Sequence, residues 1–161
     1  MRVVLLSAIS LLCALSAPAQ AQLINQKAVS AGMALAMAQV ALDTCKTNGY
    51  QVSVSVVGNV GEVILQVRGD HTGPHTMENS FRKAYTARTF RSTSGAFAKR
   101  YTDNPQLSLI HLTNVIAAQG ALPIKVGEDV IGAIGVSGAP GGEKDEVCAK
   151  AAIDKVADQL K

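Results

Sequence analysis

VSVSVVGNVGEVILQVR, Val52 to Arg68, reads as two strands around a turn. Val52, Val54 and Val56 alternate with Ser53 and Ser55, Val63, Leu65 and Val67 alternate with Glu62, Gln66 and Arg68, and Gly58-Asn59-Val60-Gly61 reverses the chain between them. A period of two in branched apolar residues predicts an antiparallel hairpin with one face buried and the other polar. The buried face needs a cover, and the flanking sequence supplies one.

Upstream, within Asn25 to Asn48, Ala28, Ala31, Leu35, Ala38, Leu42 and Cys45 recur at steps of three and four. That is one stripe of a helix, and Gly49 stops it. Its short alanine side chains let a neighbour come close. Downstream, Thr76 is placed to cap a helix carrying Met77, Phe81, Ala84 and Tyr85 on one face, with Arg88 falling among them. A short helix follows from Ser94 to Tyr101, and Asp103-Asn104-Pro105 breaks the chain. LPIKV and VIGAIGVSGA, joined at Gly127-Glu128-Asp129, form a second hairpin in which Gly132, Gly135 and Gly138 permit a close approach by backbone or ligand. The last helix begins near Gly142, with acidic residues in its first turn and Ala149, Ala152, Ile153, Val156 and Leu160 on one face. Helix, hairpin, helices, hairpin, helix is an α+β order: an antiparallel sheet of at least four strands covered by helices.

A chain of 161 residues can bury one core and is too short for two ordinary domains. The formal charge of +3 comes from scattered residues with no run of four basic ones, which argues against a nucleic-acid footprint. Tryptophan is absent, so a stacking platform for bases is not expected either.

The first residues, MRVVLLSAISLLCALSAPAQAQ, place Arg2 before an uncharged apolar run from Val3 to Leu15 and end in Ala19-Gln20-Ala21. This is the pattern of a secretory signal peptide cleaved after Ala21, and its apolar run is shorter than the roughly 20 residues that span a bilayer. The expected organisation is a signal peptide at 1–21 and a single domain at 22–161, with no membrane span in the mature chain and a periplasmic or secreted destination. Cleavage removes Cys13 and leaves Cys45 and Cys148 in an oxidising compartment, where they form either a disulfide or two buried thiols.

The alanine-rich first helix, RKAYTARTF (Arg82 to Phe90), LPIKVGEDVIGAIGVSGA (Leu122 to Ala139) and KDEVCAKAAID at the last helix together resemble the GlcG and HbpS-like family of small heme-binding proteins. The resemblance covers nearly all of the mature chain. It implies a profilin-like antiparallel sheet covered by helices, assembly into homo-oligomers, heme as ligand and, for exported members, work beside a sensor kinase. The family includes cytosolic proteins of glycolate and diol utilisation operons as well, and it has no single settled activity.

The chain departs from that pattern twice, at the turn Gly58-Asn59-Val60-Gly61, where the family often carries an aspartate before the glycine, and at RGDHTGPHTMENSF, Arg68 to Phe81, which holds His71 and His75. Gly73-Pro74 between them rules out a zinc-type pair on one helical turn. They are either solvated loop residues or ligands, and neutral imidazole is a common heme-iron ligand. Of the two, His75 is the first candidate and His71 the second, with Met77, Phe81 and Tyr85 as an apolar wall for the porphyrin and Arg68 and Arg88 as cations for its propionates. His111, in an apolar neighbourhood, is held in reserve; Met77 and Met33 can act as soft axial ligands but fit core positions as well. Gly138, Gly141 and Gly142 before a helix make either a turn or an anion cradle.

Two functions follow from these residues. One is an exported, oligomeric, heme-capturing or heme-sensing binding protein; the alternative is a small enzyme on the same scaffold, acting on heme oxidatively or on a small carboxylate. No G-x-S-x-G nucleophile elbow is present to favour the second.

Overall fold

The computed structural model describes residues 22–161, so the expected signal peptide lies outside the described residues. The elements are α1 (Ala31–Thr47), β1 (Ser53–Val57), β2 (Val63–Arg68), α2 (His75–Phe90), α3 (Ser94–Asp103), a 3₁₀ turn at Ser108–His111, β3 (Ala121–Val126), β4 (Asp129–Ser137), α4 (Gly142–Lys155) and a last 3₁₀ turn at Ala157–Gln159. The fold class is α+β as the element order requires. The four strands pair antiparallel in the order β2-β1-β4-β3, so the two hairpins join through β1 and β4 at the centre of one sheet and β2 and β3 form its edges.

Helices cover both faces. On one, Val52, Val54, Val56, Ile124, Ile134 and Val136 meet Met37, Ala38 and Ala41 of α1 and Ala149 and Ala152 of α4. Cys45 and Cys148 are joined by a disulfide between α1 and α4, with Cα atoms 5.6 Å apart. The first helix starts at Ala31 behind Ser30, whose hydroxyl accepts the Met33 N–H, so Ala28 lies outside it. The buried stripe is Ala34, Met37, Ala38, Ala41 and Cys45, and Leu35 is 58 % exposed.

On the other face the one-sided hairpin of the sequence reading is corrected. Ser53 and Ser55 are fully buried because α2 lies on them, and it carries matching hydroxyls. Ser53 Oγ bonds Thr76 Oγ1 at 2.8 Å and Ser55 Oγ bonds Ser80 Oγ at 2.7 Å. Gln66 Nε2 donates to Ser55 Oγ and to the Met77 carbonyl, and Asn79 Nδ2 donates to Ser137 Oγ. A buried polar layer is stable when each member has a partner, and here the helix supplies one at every strand position. Gly135 completes the contact, since a Cβ there would strike the Ser80 carbonyl and Ala84.

Lys83 anchors the far side of this layer. Its ammonium, buried with the carboxylate it meets, donates to Asp145 Oδ2 at 2.7 Å and to the Val136 carbonyl at 3.1 Å, while Asp145 Oδ1 accepts the Ala139 N–H. One pair thus ties α2, β4 and the start of α4. Burial outweighs the attraction of Lys83 and holds the Asp145 carboxyl above its ordinary value of 3.8. The glycines before α4 form a turn: a Cβ on Gly138 would strike the Gln51 carbonyl, one on Gly142 would strike Gln119, and Asp145 and Glu143 fill the helix start with their own carboxylates.

Candidate functional site

One cleft forms where the end of α1 meets the end of β2. Gly49, with φ +82, turns the chain out of α1 and sets Tyr50 beside the sheet. Leu42, Asp43 and Lys46 come from the last turns of α1. Val67 and Arg68 come from β2, and the segment after it is held tight: Gly69 N–H donates to the Val52 carbonyl at 3.1 Å, Thr72 Oγ1 donates to the Gly69 carbonyl at 2.9 Å and Arg68 Nη2 donates to the Thr72 carbonyl at 2.9 Å. His71 sits within this turn in the left-handed region, φ 60, a conformation uncommon outside glycine in which histidine is enriched. The cleft measures about 530 Å³. Its walls are apolar at Leu42, Val52 and Val67, it presents the imidazole of His71 and the phenol of Tyr50, and it carries the cations Lys46 and Arg68 beside the carboxylates Asp43 and Asp70. Lys144 lies 5.4 Å from the centre of the Tyr50 ring and adds positive charge at one side.

His75 opens elsewhere. It is the first residue of α2, behind Pro74, and Thr76 does not cap the helix; the Thr76 hydroxyl is buried between Gly73 and Ser53. His75 lines a smaller hollow of about 320 Å³ with Glu78, Asn79, Arg82 and Ile116. Arg82 is held there by the Val115 carbonyl at 2.8 Å and by Glu78 at 3.4 Å.

Met77, Phe81, Tyr85 and Arg88 lie on the opposite flank of α2. Each helical residue advances by about 100°, so His75 and Met77 diverge although one residue separates them. Phe81 and Tyr85 rings pack at 5.9 Å, and Tyr85 covers Gly61 in the turn before β2. Arg88 Nε is buried without a hydrogen-bond partner. His111 ends the 3₁₀ turn, exposed, and Met33 packs against the core. The structure therefore brings His71 together with Arg68 and separates both His75 and the aromatic wall from them. Leu42, Lys46 and Tyr50 were not singled out in the sequence because they join the cleft from more than twenty residues upstream; Tyr50, directly after the helix-stopping glycine, is the one local signal. Among the described residues no group of three or more His, Cys, Asp or Glu side chains could hold a metal ion by itself.

A small antiparallel sheet between two helical layers, stapled by a disulfide and bearing a cleft lined by His71, Tyr50, Lys46 and Arg68, defines an α+β domain. The chain belongs to the HbpS-like family, described as haem degrading protein HbpS-like, which matches residues 16–154. A crystal structure of a double mutant of Streptomyces reticuli HbpS is 30% identical, with a TM-score of 0.78 over 86% of this chain and 96% of that one. A structure described as a PduOC:heme complex is 21% identical, with a TM-score of 0.72 over 80% of this chain and 95% of that one, and so shares the fold. An uncharacterized 15.0 kDa protein from the dhaT-dhaS intergenic region of Citrobacter freundii is 29% identical over 137 residues, 81% of this chain and 96% of the relative.

Proposed function

We propose that this protein binds heme in the cleft between the end of α1 and the loop after β2, with His71 toward the iron, and that it does so as an exported homo-oligomer. The observation that carries the reading is the composition of that cleft. An imidazole, two cations and apolar walls at Leu42 and Val67 occur together in a space of about 530 Å³, within the range that small-molecule ligands occupy. Heme needs these three kinds of group: a nitrogen or oxygen donor for the iron, an apolar surface for the ring and cations for the propionates. The His75 hollow offers a donor and a cation, but Ile116 is its one apolar wall. Family membership supports heme as the ligand, and the relative captured with heme shares the fold.

The tight turn of Gly69 to Thr72 holds His71 in place before any ligand arrives, which lowers the ordering cost of binding. Bound heme would supply the redox chemistry; the chain supplies the donor and the anchoring charges. The family description favours a second reading, in which heme is consumed. Hemin titration of purified protein tests both. Wild type is expected to give a shifted Soret band, His71→Ala to lose at least tenfold in affinity and His75→Ala to keep it. Loss confined to His75→Ala would move the site to the hollow beside Ile116. Bleaching of the band with reductant and oxygen would make the protein an enzyme.

A further inference from the structure

We propose that the hollow between α2 and Ile116 is a second ligand site, separate from the heme cleft, and that it holds a small aliphatic α-amino acid as the zwitterion. The inference goes beyond the heme reading and does not rest on it.

His75, Glu78, Asn79 and Arg82 stand at steps of three and four on α2, so one face of the helix carries all of them to a hollow of about 320 Å³. Its opposite wall is the segment before β3, and that wall is fastened to the helix. Arg82 Nη2 donates to the Val115 carbonyl at 2.8 Å, the Ile116 N–H donates to Thr86 Oγ1 at 2.9 Å, and Val115 is fully buried. Asn114 turns the chain into this segment in the left-handed region, φ 68, which asparagine tolerates. A hollow whose walls are already joined loses little freedom when a ligand enters.

Its polar side chains divide into two pairs of opposite demand. Arg82 and His75 bring hydrogen-bond donors, a guanidinium and, in either tautomer, a ring N–H. Glu78 and Asn79 bring acceptors. The Asn79 amide is fixed by its Nδ2, which donates to Ser137 Oγ at 2.9 Å, and among the described residues its Oδ1 has no hydrogen-bond partner. The Glu78 side chain is 73 % exposed and reaches Arg82 Nη1 only at 3.4 Å, beyond the roughly 2.7–2.9 Å of a charge-assisted bond. An exposed pair that long contributes little by itself, so both ends are available to a ligand.

This inventory selects the chemistry. A simple anion would meet Arg82 and His75 but lie against the Glu78 carboxylate, and a simple cation would meet Glu78 but lie against Arg82. A molecule carrying both charges on neighbouring atoms satisfies each, its carboxylate on Arg82 and His75 and its ammonium on Glu78 and Asn79. Residues three or four apart on a helix have Cβ atoms about 5–6 Å from each other, a spacing that suits the adjacent charges of an α-amino acid. Ile116, the one apolar wall, takes a small aliphatic side chain, and the volume lies at the low end for small-molecule sites.

The experiment is an NMR titration of the isotope-labelled, heme-free mature protein with L-valine, with isovalerate, which lacks the ammonium, and with isobutylamine, which lacks the carboxylate. Valine is expected to give saturable shifts confined to the amides of His75 to Arg82 and of Val115 and Ile116, and each half-ligand to bind at least about tenfold more weakly, because a hydrogen bond to a charged group is lost. Glu78→Gln, an exposed change, is expected to weaken valine by about tenfold or more while leaving isovalerate no weaker; His75→Ala is expected to weaken valine and isovalerate together. Hemin affinity is expected to be the same with and without saturating valine, so a failure of the heme reading leaves this result standing. The absence of saturable shifts with valine, a half-ligand that binds as tightly as valine, a Glu78→Gln protein with wild-type affinity for valine, or displacement of hemin by valine would overturn the proposal.

Discussion

Gly135 and Lys83 show how closely single residues set this fold. At Gly135 the backbone of β4 touches the Ser80 carbonyl and Ala84 of α2, and a methyl group has nowhere to go except into the helix. Gly135→Ala is therefore expected to lift α2 from the sheet and cost about 3 kcal/mol, at the upper end for overpacking, read as a lower denaturant midpoint. Lys83 and Asp145 are a buried pair, and such pairs are costly when one partner is left alone. The two single variants should differ. Asp145→Leu leaves an ammonium in the core and is expected to cost about 4 kcal/mol. Lys83→Met leaves a carboxyl whose burial already favours the protonated form, so it can be neutralised instead. A carboxyl whose folded pKa lies above its unfolded value takes up a proton on folding, and its contribution to stability falls as pH rises through that window. Lys83→Met should thus be milder than Asp145→Leu at mildly acidic pH and approach it at alkaline pH. Equal costs at both pH values would mean that the carboxyl stays charged in the variant.

At the scale of elements, the strands and helices were legible in the sequence and the layers less so. The period of two between Val52 and Val67 marked β1 and β2, and the steps of three and four marked α1, although its start lay later than the alanines suggested. The serines of β1 misled because alternation reports polarity and not exposure. Ser53 and Ser55 are polar yet buried, since Thr76 and Ser80, more than twenty residues away, return their hydrogen bonds. The glycines of the second hairpin that permit a close approach spend it within the chain, Gly135 against α2 and Gly132 against the Val57 carbonyl and Val29. The candidate site divided for a related reason. His71, His75 and Met77 lie within seven residues, but a helix beginning at His75 sends neighbouring side chains to different flanks, and that start was hidden by the expectation that Thr76 would cap. Leu42 and Lys46 reach the cleft only through the packing of α1 on β2, which no local pattern encodes.

For the whole molecule, the disulfide joins compartment to stability. Cys45 and Cys148 are 103 residues apart, so their bond closes most of the domain into a loop and links the helices at its two ends. A loop of this length restricts the unfolded chain by an amount worth about 4 to 5 kcal/mol in the chain-entropy account, a large share of the stability of a domain this size. The benefit exists only where thiols are oxidised, the kind of compartment to which the signal peptide expected at 1–21 would direct the chain. The two features therefore predict one outcome. Protein recovered after export should begin at Gln22, contain no reactive thiol under denaturing conditions, and have the mass of the chain less two hydrogens. The same domain under reducing conditions, or as the Cys45→Ala, Cys148→Ala double variant, should unfold at a denaturant midpoint lower by the equivalent of about 4 kcal/mol. Intact mass and thiol counting decide it together: a retained leader would keep Cys13 as an odd thiol, and two reactive thiols on a chain starting at Gln22 would show that α1 and α4 hold without the bond.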